Sequence, residues 1–381
     1  MTVRLMCGFE AGDSLMATTL TGTYSLGQSI FHPKPTGSWA GEGSLRTNPS
    51  AATGNWILRG WGATGAAAEL GDDSLYASVA LYIATMPDQN CIVLQIMNSA
   101  NGVMMSARLN ATGLVVCNYS DATDTTVLVG NSTQALNTGQ WYTIEIAATS
   151  VSAVGGGTAT LGIDQQTITS ASGLTFRSGS RTCDRVRVGV VTAGTTTDLY
   201  FDDLVADNAA FPSNTYIAPL YPTGNVTTAW ATGTGTGFGE VDEVTGAAGN
   251  DGDTSYLGSS TSGNVATYTG TSILPVTMRQ IVAVQPYIVI RDEGGASTLN
   301  LRHISGATTT NLSTLDPGAT YVMNSTILNT DPNTSAAWTV AAVNAFTIGV
   351  VNGAAVAARC TAVGQMVAFR PWNRTALLGA G

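Results

Sequence analysis

Apolar and polar residues alternate along most of the first half of the chain. In SLYASVALYIATM, Leu75, Ala77, Val79, Leu81 and Ile83 fall on one face of a period-two pattern, the signature of a strand with one buried side. CIVLQIM, VMMSARL and LVVCNYS follow, separated by NSANG and NATG. Gly and Asn supply the backbone conformations that tight turns demand, so these three runs predict an antiparallel meander. WYTIEIAAT alternates through Tyr142, Ile144 and Ile146, and DRVRVGVVT alternates Val186, Val188 and Val190 against Arg185 and Arg187, which point to solvent or to a neighbouring subunit. ATLGIDQQTIT and LYFDDLVAD complete the set. Strands at this spacing, with almost no helical pattern between them, predict a two-sheet antiparallel sandwich.

The pattern changes near residue 209. AAFPSNTYIAP, residues 209–219, carries two prolines without periodicity and reads as a linker. Residues 220–381 return to strands in TSYLGSSTSGNVATYTG, RQIVAVQPYIVIRDEGGASTLNLRHISG and AFTIGVVNGAAVAARCTAVGQMVAF, with RDEGGAS as a hairpin loop. SAAWTVAAVNA is the best helix candidate. The expected fold class is therefore all-β: antiparallel β-sandwich domains over 1–208 and 220–381, with one short helix in the second.

Composition narrows the partners. Charged residues make up 10% of the chain, against roughly 25% in an average soluble domain. Lys34 is the only lysine, and the formal charge is −10, which opposes binding to phosphate backbones and excludes a nucleic-acid partner. The most apolar stretch, near the C-terminal end, is interrupted by Asn344, Asn352, Arg359 and Gln365, so no run of about 20 apolar residues is available for membrane insertion. The N-terminus lacks the apolar core of a signal peptide. Cys7, Cys91, Cys117, Cys183 and Cys360 are odd in number and widely spaced, so they are expected to be buried thiols in a chain made in a reducing cytoplasm.

Several short segments carry a resemblance. Phe9-Glu10-Ala11-Gly12-Asp13, Gly139 to Ile146 (GQWYTIEI), Ile163-Asp164 and Tyr200-Phe201-Asp202-Asp203-Leu204 resemble the concanavalin A-like, laminin-G-type jelly roll over residues 1–208. With LYPTGN, Val241-Asp242-Glu243, Asp251 to Tyr256 and Asp331 to Ala345, nearly the whole chain resembles a family of two-domain structural proteins of tailed bacteriophages. The resemblance implies a virion component without enzymatic activity, a decoration or fibre-type subunit outside the tail or capsid, in contact with other virion proteins. It also implies adjacent first and last strands, with Glu10 near Asp202.

Gly12-Asp13-Ser14-Leu15 spells the nucleophile motif of a class of serine esterases, but only His32 and His303 are available, and no aspartate stands three residues before His303. A serine without an oriented imidazole is a poor nucleophile, so Ser14 reads as a turn. Glu240-Val241-Asp242-Glu243-Val244-Thr245 approaches the E-x-D-x-x-E set of glycan-cleaving sandwiches, with threonine where the acid belongs. No catalytic or cofactor-binding residue is assigned. Oxygen ligands suited to calcium stand at Asp251 and Asp253, and at Glu10, Asp202 and Asp203. Their competing role is to bond local backbone amides. Trp39, Trp56 and Trp61 lie in Gly-rich context, where aromatic faces either stack on sugar rings or anchor a core. Two functions remain: a subunit that assembles with itself, a trimer first, and an adhesion lectin for a host surface glycan.

Overall fold

The computed structural model describes residues 3–7, 31–33, 43–47, 55–60, 71–177, 181–192, 195–212, 215–235, 237–242, 254–272 and 279–371. It is built almost entirely of antiparallel strands in sandwich-like layers, as expected from the period-two patterning. Two compact units divide it, Met1–Asn214 and Thr215–Gly381.

In the first unit the strands are β1 (Val3–Cys7), β2 (Phe31–Pro33), β3 (Gly43–Thr47), β4 (Asn55–Gly60), β5 (Leu75–Thr85), β6 (Cys91–Met97), β7 (Val103–Leu109), β8 (Val115–Ser120), β9 (Thr126–Asn131), β10 (Trp141–Thr149), β11 (Gly157–Ile163), β12 (Gln166–Leu174), β13 (Arg185–Val190) and β14 (Asp198–Asp207). One sheet runs β12-β11-β10-β5-β14-β3-β2, with β1 also on β14; the other runs β4-β13-β6-β7-β8-β9. The meander from β6 to β9 follows from its turn residues. Asn98 Oδ1 accepts from the amides of Ala100 and Gly102, Asn110 Oδ1 from Thr112 and Leu114, and Asp121 Oδ1 from Thr123 and Thr125. Each short side chain thus satisfies the backbone groups that a reversal exposes. Leu75, Val79, Leu81, Ile83, Ile144, Ile146, Val186, Val188 and Val190 are all at most 1% exposed and form the core between the sheets. Burying each such side chain stabilises the fold by about 1.5–3 kcal/mol. Arg185 and Arg187 fall on the opposite face, as the alternation requires.

The second unit contains β15 (Tyr216–Leu220), β16 (Pro222–Thr228), β17 (Thr232–Gly233), a 3-10 turn (Phe238–Glu240), β18 (Leu257–Ser259), β19 (Val265–Gly270), β20 (Arg279–Asp292), β21 (Leu299–Ser305), β22 (Thr308–Leu315), β23 (Val322–Ser325), α1 (Val340–Asn344), β24 (Thr347–Asn352) and β25 (Ala358–Pro371). Its sheets are β17-β18-β25-β20-β23, with β15 on β25, and β16-β19-β24-β21-β22. Two expectations are corrected. Residues 216–219, the end of the stretch read as a linker, belong to β15, because Tyr216 to Leu220 pair with Phe369 to Gln365. RDEGGAS joins no hairpin: β20 pairs with β23 and β25, β21 with β22 and β24, so the loop crosses from one sheet to the other. The one short helix expected in the second domain is present at Val340–Asn344 of SAAWTVAAVNA, capped by Thr339 Oγ1 accepting from the Ala342 amide at 3.0 Å. Trp338 is buried, its Nε1 donating to the Leu328 carbonyl.

His303 lies in this second core, 1% exposed, stacked on Phe346 and edge-on to Trp338. Its Nε2 is 3.2 Å from Gln365 Oε1, while Nδ1 has no partner among the described residues. Burial pushes its pKa down to about 4, opposed by the Gln365 contact and by Asp331.

Candidate functional site

The first unit's larger sheet has a second face, turned away from the core. Strand β5 sends Leu75, Ala77, Val79, Leu81 and Ile83 inward, so Tyr76, Ser78, Ala80 and Tyr82 face outward. Register carries that assignment across the neighbouring strands. Trp141 of β10 is opposite Tyr82, Tyr82 is opposite Tyr200 of β14, and Tyr200 is opposite Arg46 of β3. Four adjacent strands therefore present one row, Trp141–Tyr82–Tyr200–Arg46, and every member is partly exposed. Tyr82 lies 5.4 Å from the Trp141 ring and 6.0 Å, edge-on, from the Tyr200 ring. Arg46 Cζ sits 5.5 Å from the Tyr200 centroid. Asp198 holds the guanidinium through two bonds, Nε to Oδ1 at 2.8 Å and Nη2 to Oδ2 at 2.9 Å. The hydrogen bonds to that carboxylate raise the Arg46 pKa, and burial raises that of Tyr200.

The next rows on this face are polar yet buried: Ser44 at 0%, Ser78, Glu145 and Asp202 each at 2%. Asp202 and Asp203 mark a bulge. β3 pairs with β14 up to Phe201, β1 takes over from Leu204, and the register with β5 shifts between Asp202 and Val205. Asp203 takes a left-handed φ of 48°, and its amide donates to Asp202 Oδ1 at 2.8 Å. A short polar side chain tolerates that conformation better than a branched one. Asp202 therefore bonds a local backbone amide.

The other sequence candidates scatter. Glu10, Ser14, Trp39, Trp61, Asp251 and Asp253 lie outside the described residues. Trp56 is a residue of β4, opposite Gly189 in the smaller sheet, so its backbone is not in the sheet that carries the aromatic row. Glu240 ends the 3-10 turn and accepts from Thr234 Oγ1, and Asp242 makes an isolated bridge to Ala362. These two carboxylates share no strand, so the alternation that would aim them together does not operate. Gly71-Asp72-Asp73-Ser74-Leu75, whose letters nearly repeat those of residues 12–15, is a junction: Asp72 pairs with Arg4 at 2.8 Å, Asp73 Oδ1 accepts from the Ser152 amide, and Ser74 Oγ accepts from the Ser150 amide. Among the described residues no three His, Cys, Asp or Glu side chains converge on a metal position, and no helix is long and apolar enough to cross a membrane.

Tyr82, Trp141, Tyr200, Arg46 and Asp198 were not singled out from sequence. The alternation already placed Trp141 and Tyr82 opposite the core residues; the missing information was which outward residues meet across strands.

No protein-family model matches the chain, and no curated protein does. Solved structures similar to it include a Trypanosoma rangeli sialidase (12% identity, TM-score 0.34, 47% of this chain and 26% of that one). A carbohydrate esterase of the Shiga toxin-encoding bacteriophage phi24B is similar at 16% identity and TM-score 0.38, over 55% and 99% of the two chains. The binding domain of botulinum neurotoxin serotype G is similar at 11% identity and TM-score 0.32, over 49% and 43%. This chain thus spans about a quarter of the sialidase. At these values the likeness concerns layered β-architecture only. It does correct one expectation: with a sialidase and an esterase among the similar structures, the chain's assignment as non-enzymatic is overturned as a conclusion, and an enzymatic role is not established either.

Proposed function

We propose that this protein recognises carbohydrate, and that the outer face of its eight-stranded sheet is the binding surface. The observation that carries this reading is the row Trp141–Tyr82–Tyr200–Arg46, aligned across four strands on the side away from the core. Aromatic rings offer apolar faces to the C–H surface of a sugar, and they do so at low entropy cost because the row is already ordered by its neighbours. The Arg46–Asp198 pair closes one end with donors and acceptors for hydroxyl groups.

The proposed setting is the exterior of a tailed-phage particle, on tail or capsid, where many copies add avidity to a weak single site. This rests on the segments that resemble the phage structural family. Self-association, with a trimer as first guess, is supported by edge strand β22. It spans Thr308–Leu315, is paired only with β21 among the described residues, and contains neither charge nor proline to block a further strand.

A glycan array followed by calorimetry tests the binding reading. Wild-type protein is expected to bind at least one glycan, and Trp141→Ala with Tyr200→Ala to weaken it at least tenfold, about 1.4 kcal/mol, without loss of the β circular dichroism signal. Unchanged affinity in the double variant, or no binding by the wild type, refutes it. Sedimentation velocity and particle imaging test assembly and location.

A further inference from the structure

The second unit contains a separate cleft of about 210 Å³, lined by Gly233, Tyr256, Ser259, Ser260, Glu293 and Arg359 among others. It lies where the ends of β17, β18 and β25 meet the loop that crosses between the sheets after β20. Its lining combines the small residues Gly233, Gly258, Ala357 and Ala358 with polar side chains. Pockets for drug-sized molecules hold roughly 300–1,000 Å³, so this one admits a single ring with its substituents.

The wall chemistry selects among such ligands. The Arg359 guanidinium lies over the Tyr256 ring with Cζ 4.2 Å from the centroid, and both its Nε and Nη2 engage Glu293 Oε1. Arg291 Nη2 approaches the same oxygen at 3.9 Å. All these contacts use Oε1, so Oε2 keeps its acceptor capacity beside the guanidinium. An anionic ligand would face the Glu293 carboxylate and a cation the two arginines. A neutral vicinal diol meets neither penalty, because one hydroxyl donates to the carboxylate while its neighbour accepts from the guanidinium. Tyr256 and the small lining residues offer the apolar edge that a pyranose also requires. We infer that this cleft is a binding site for one neutral monosaccharide unit, with Glu293 and Arg359 reading adjacent hydroxyls. It shares no residue with the aromatic row of the first unit, so either site stands or falls without the other.

Saturation-transfer NMR on the full chain tests this with methyl glucoside, methyl mannoside, methyl galactoside and glucuronate as probes. The measurements use the Trp141→Ala protein, in which the first-unit face is impaired. At least one neutral glycoside is expected to show transfer, and glucuronate much less. Glu293→Ala is expected to weaken that binding at least tenfold. Ser260→Trp, at an exposed residue of the lining that takes no part in the ion pair, is expected to block it while leaving the melting temperature unchanged, which separates occlusion from misfolding. No transfer to any neutral glycoside, unchanged transfer in the Ser260→Trp protein, or tighter binding of glucuronate than of every neutral probe overturns the inference. None of these results bears on whether Trp141 and Tyr200 bind glycan in the wild type.

Discussion

Acidification should unlock the second unit through one side chain. His303 is buried against Phe346 and Trp338, and its pKa is about 4 in the folded chain against an ordinary 6.5. That gap of about 2.5 pH units corresponds to about 3 kcal/mol at about 1.4 kcal/mol per unit. The sign follows from which state takes the proton first. Below pH 6.5 the unfolded chain protonates His303 while the folded chain does not, so stability falls as pH drops, with the loss complete below about pH 4. At pH 5 the linkage relation gives a loss of about 2 kcal/mol relative to neutral pH. Urea unfolding at pH 7 and pH 5, followed by tryptophan emission, reads this difference. His303→Leu should remove about 2 kcal/mol of the pH 7-to-5 change whatever its effect on absolute stability. Direct titration of the His303 ring protons by NMR gives the same answer in the wild type. A folded-state value near 6.5, or the same pH dependence in both proteins, would refute the reasoning.

Three further outcomes are expected. Tyr268 is fully buried with a hydroxyl that lacks a partner among the described residues, so Tyr268→Phe should leave thermal stability unchanged or raise it by about 1–3 kcal/mol, readable by calorimetry; a clear loss would show that the hydroxyl is bonded in solution. Gly349 sits in β24 between two partner strands, where a Cβ would meet the Ala266 carbonyl oxygen at 1.9 Å, so Gly349→Ala should cost at least about 3 kcal/mol in urea unfolding. Burial drives the Cys91 and Cys117 thiols up to about 12 and the other three cysteines are also buried, so thiol reagents should label the native protein negligibly at pH 8 and fully only after denaturation. Rapid labelling without denaturant would contradict that burial.

The sandwich class was legible because strand patterning is local. Leu75 to Ile83 alternate in sequence, and that alternation alone decides which side of β5 enters a core. The turns of the β6–β9 meander were legible for the same reason, since Asn98, Asn110 and Asp121 close them through bonds to residues two to four positions away. RDEGGAS was misread as a hairpin because a Gly-rich reversal looks the same whether the next strand pairs beside the last one or joins the facing sheet. The outcome depends on β25, about 70 residues later, occupying the place beside β20.

Sequence by itself therefore determined the strands, their inward faces, the scarcity of charge and the five separated cysteines. Only the tertiary structure decided which candidate residues come together. Trp141, Tyr82, Tyr200 and Arg46 are far apart along the chain and become one row through three strand registers. Tyr256, Glu293 and Arg359 likewise converge only when β18, β25 and the inter-sheet loop meet. The physical reason is that side-chain alternation is set within a few residues, whereas register is set by the summed burial of whole strands against each other.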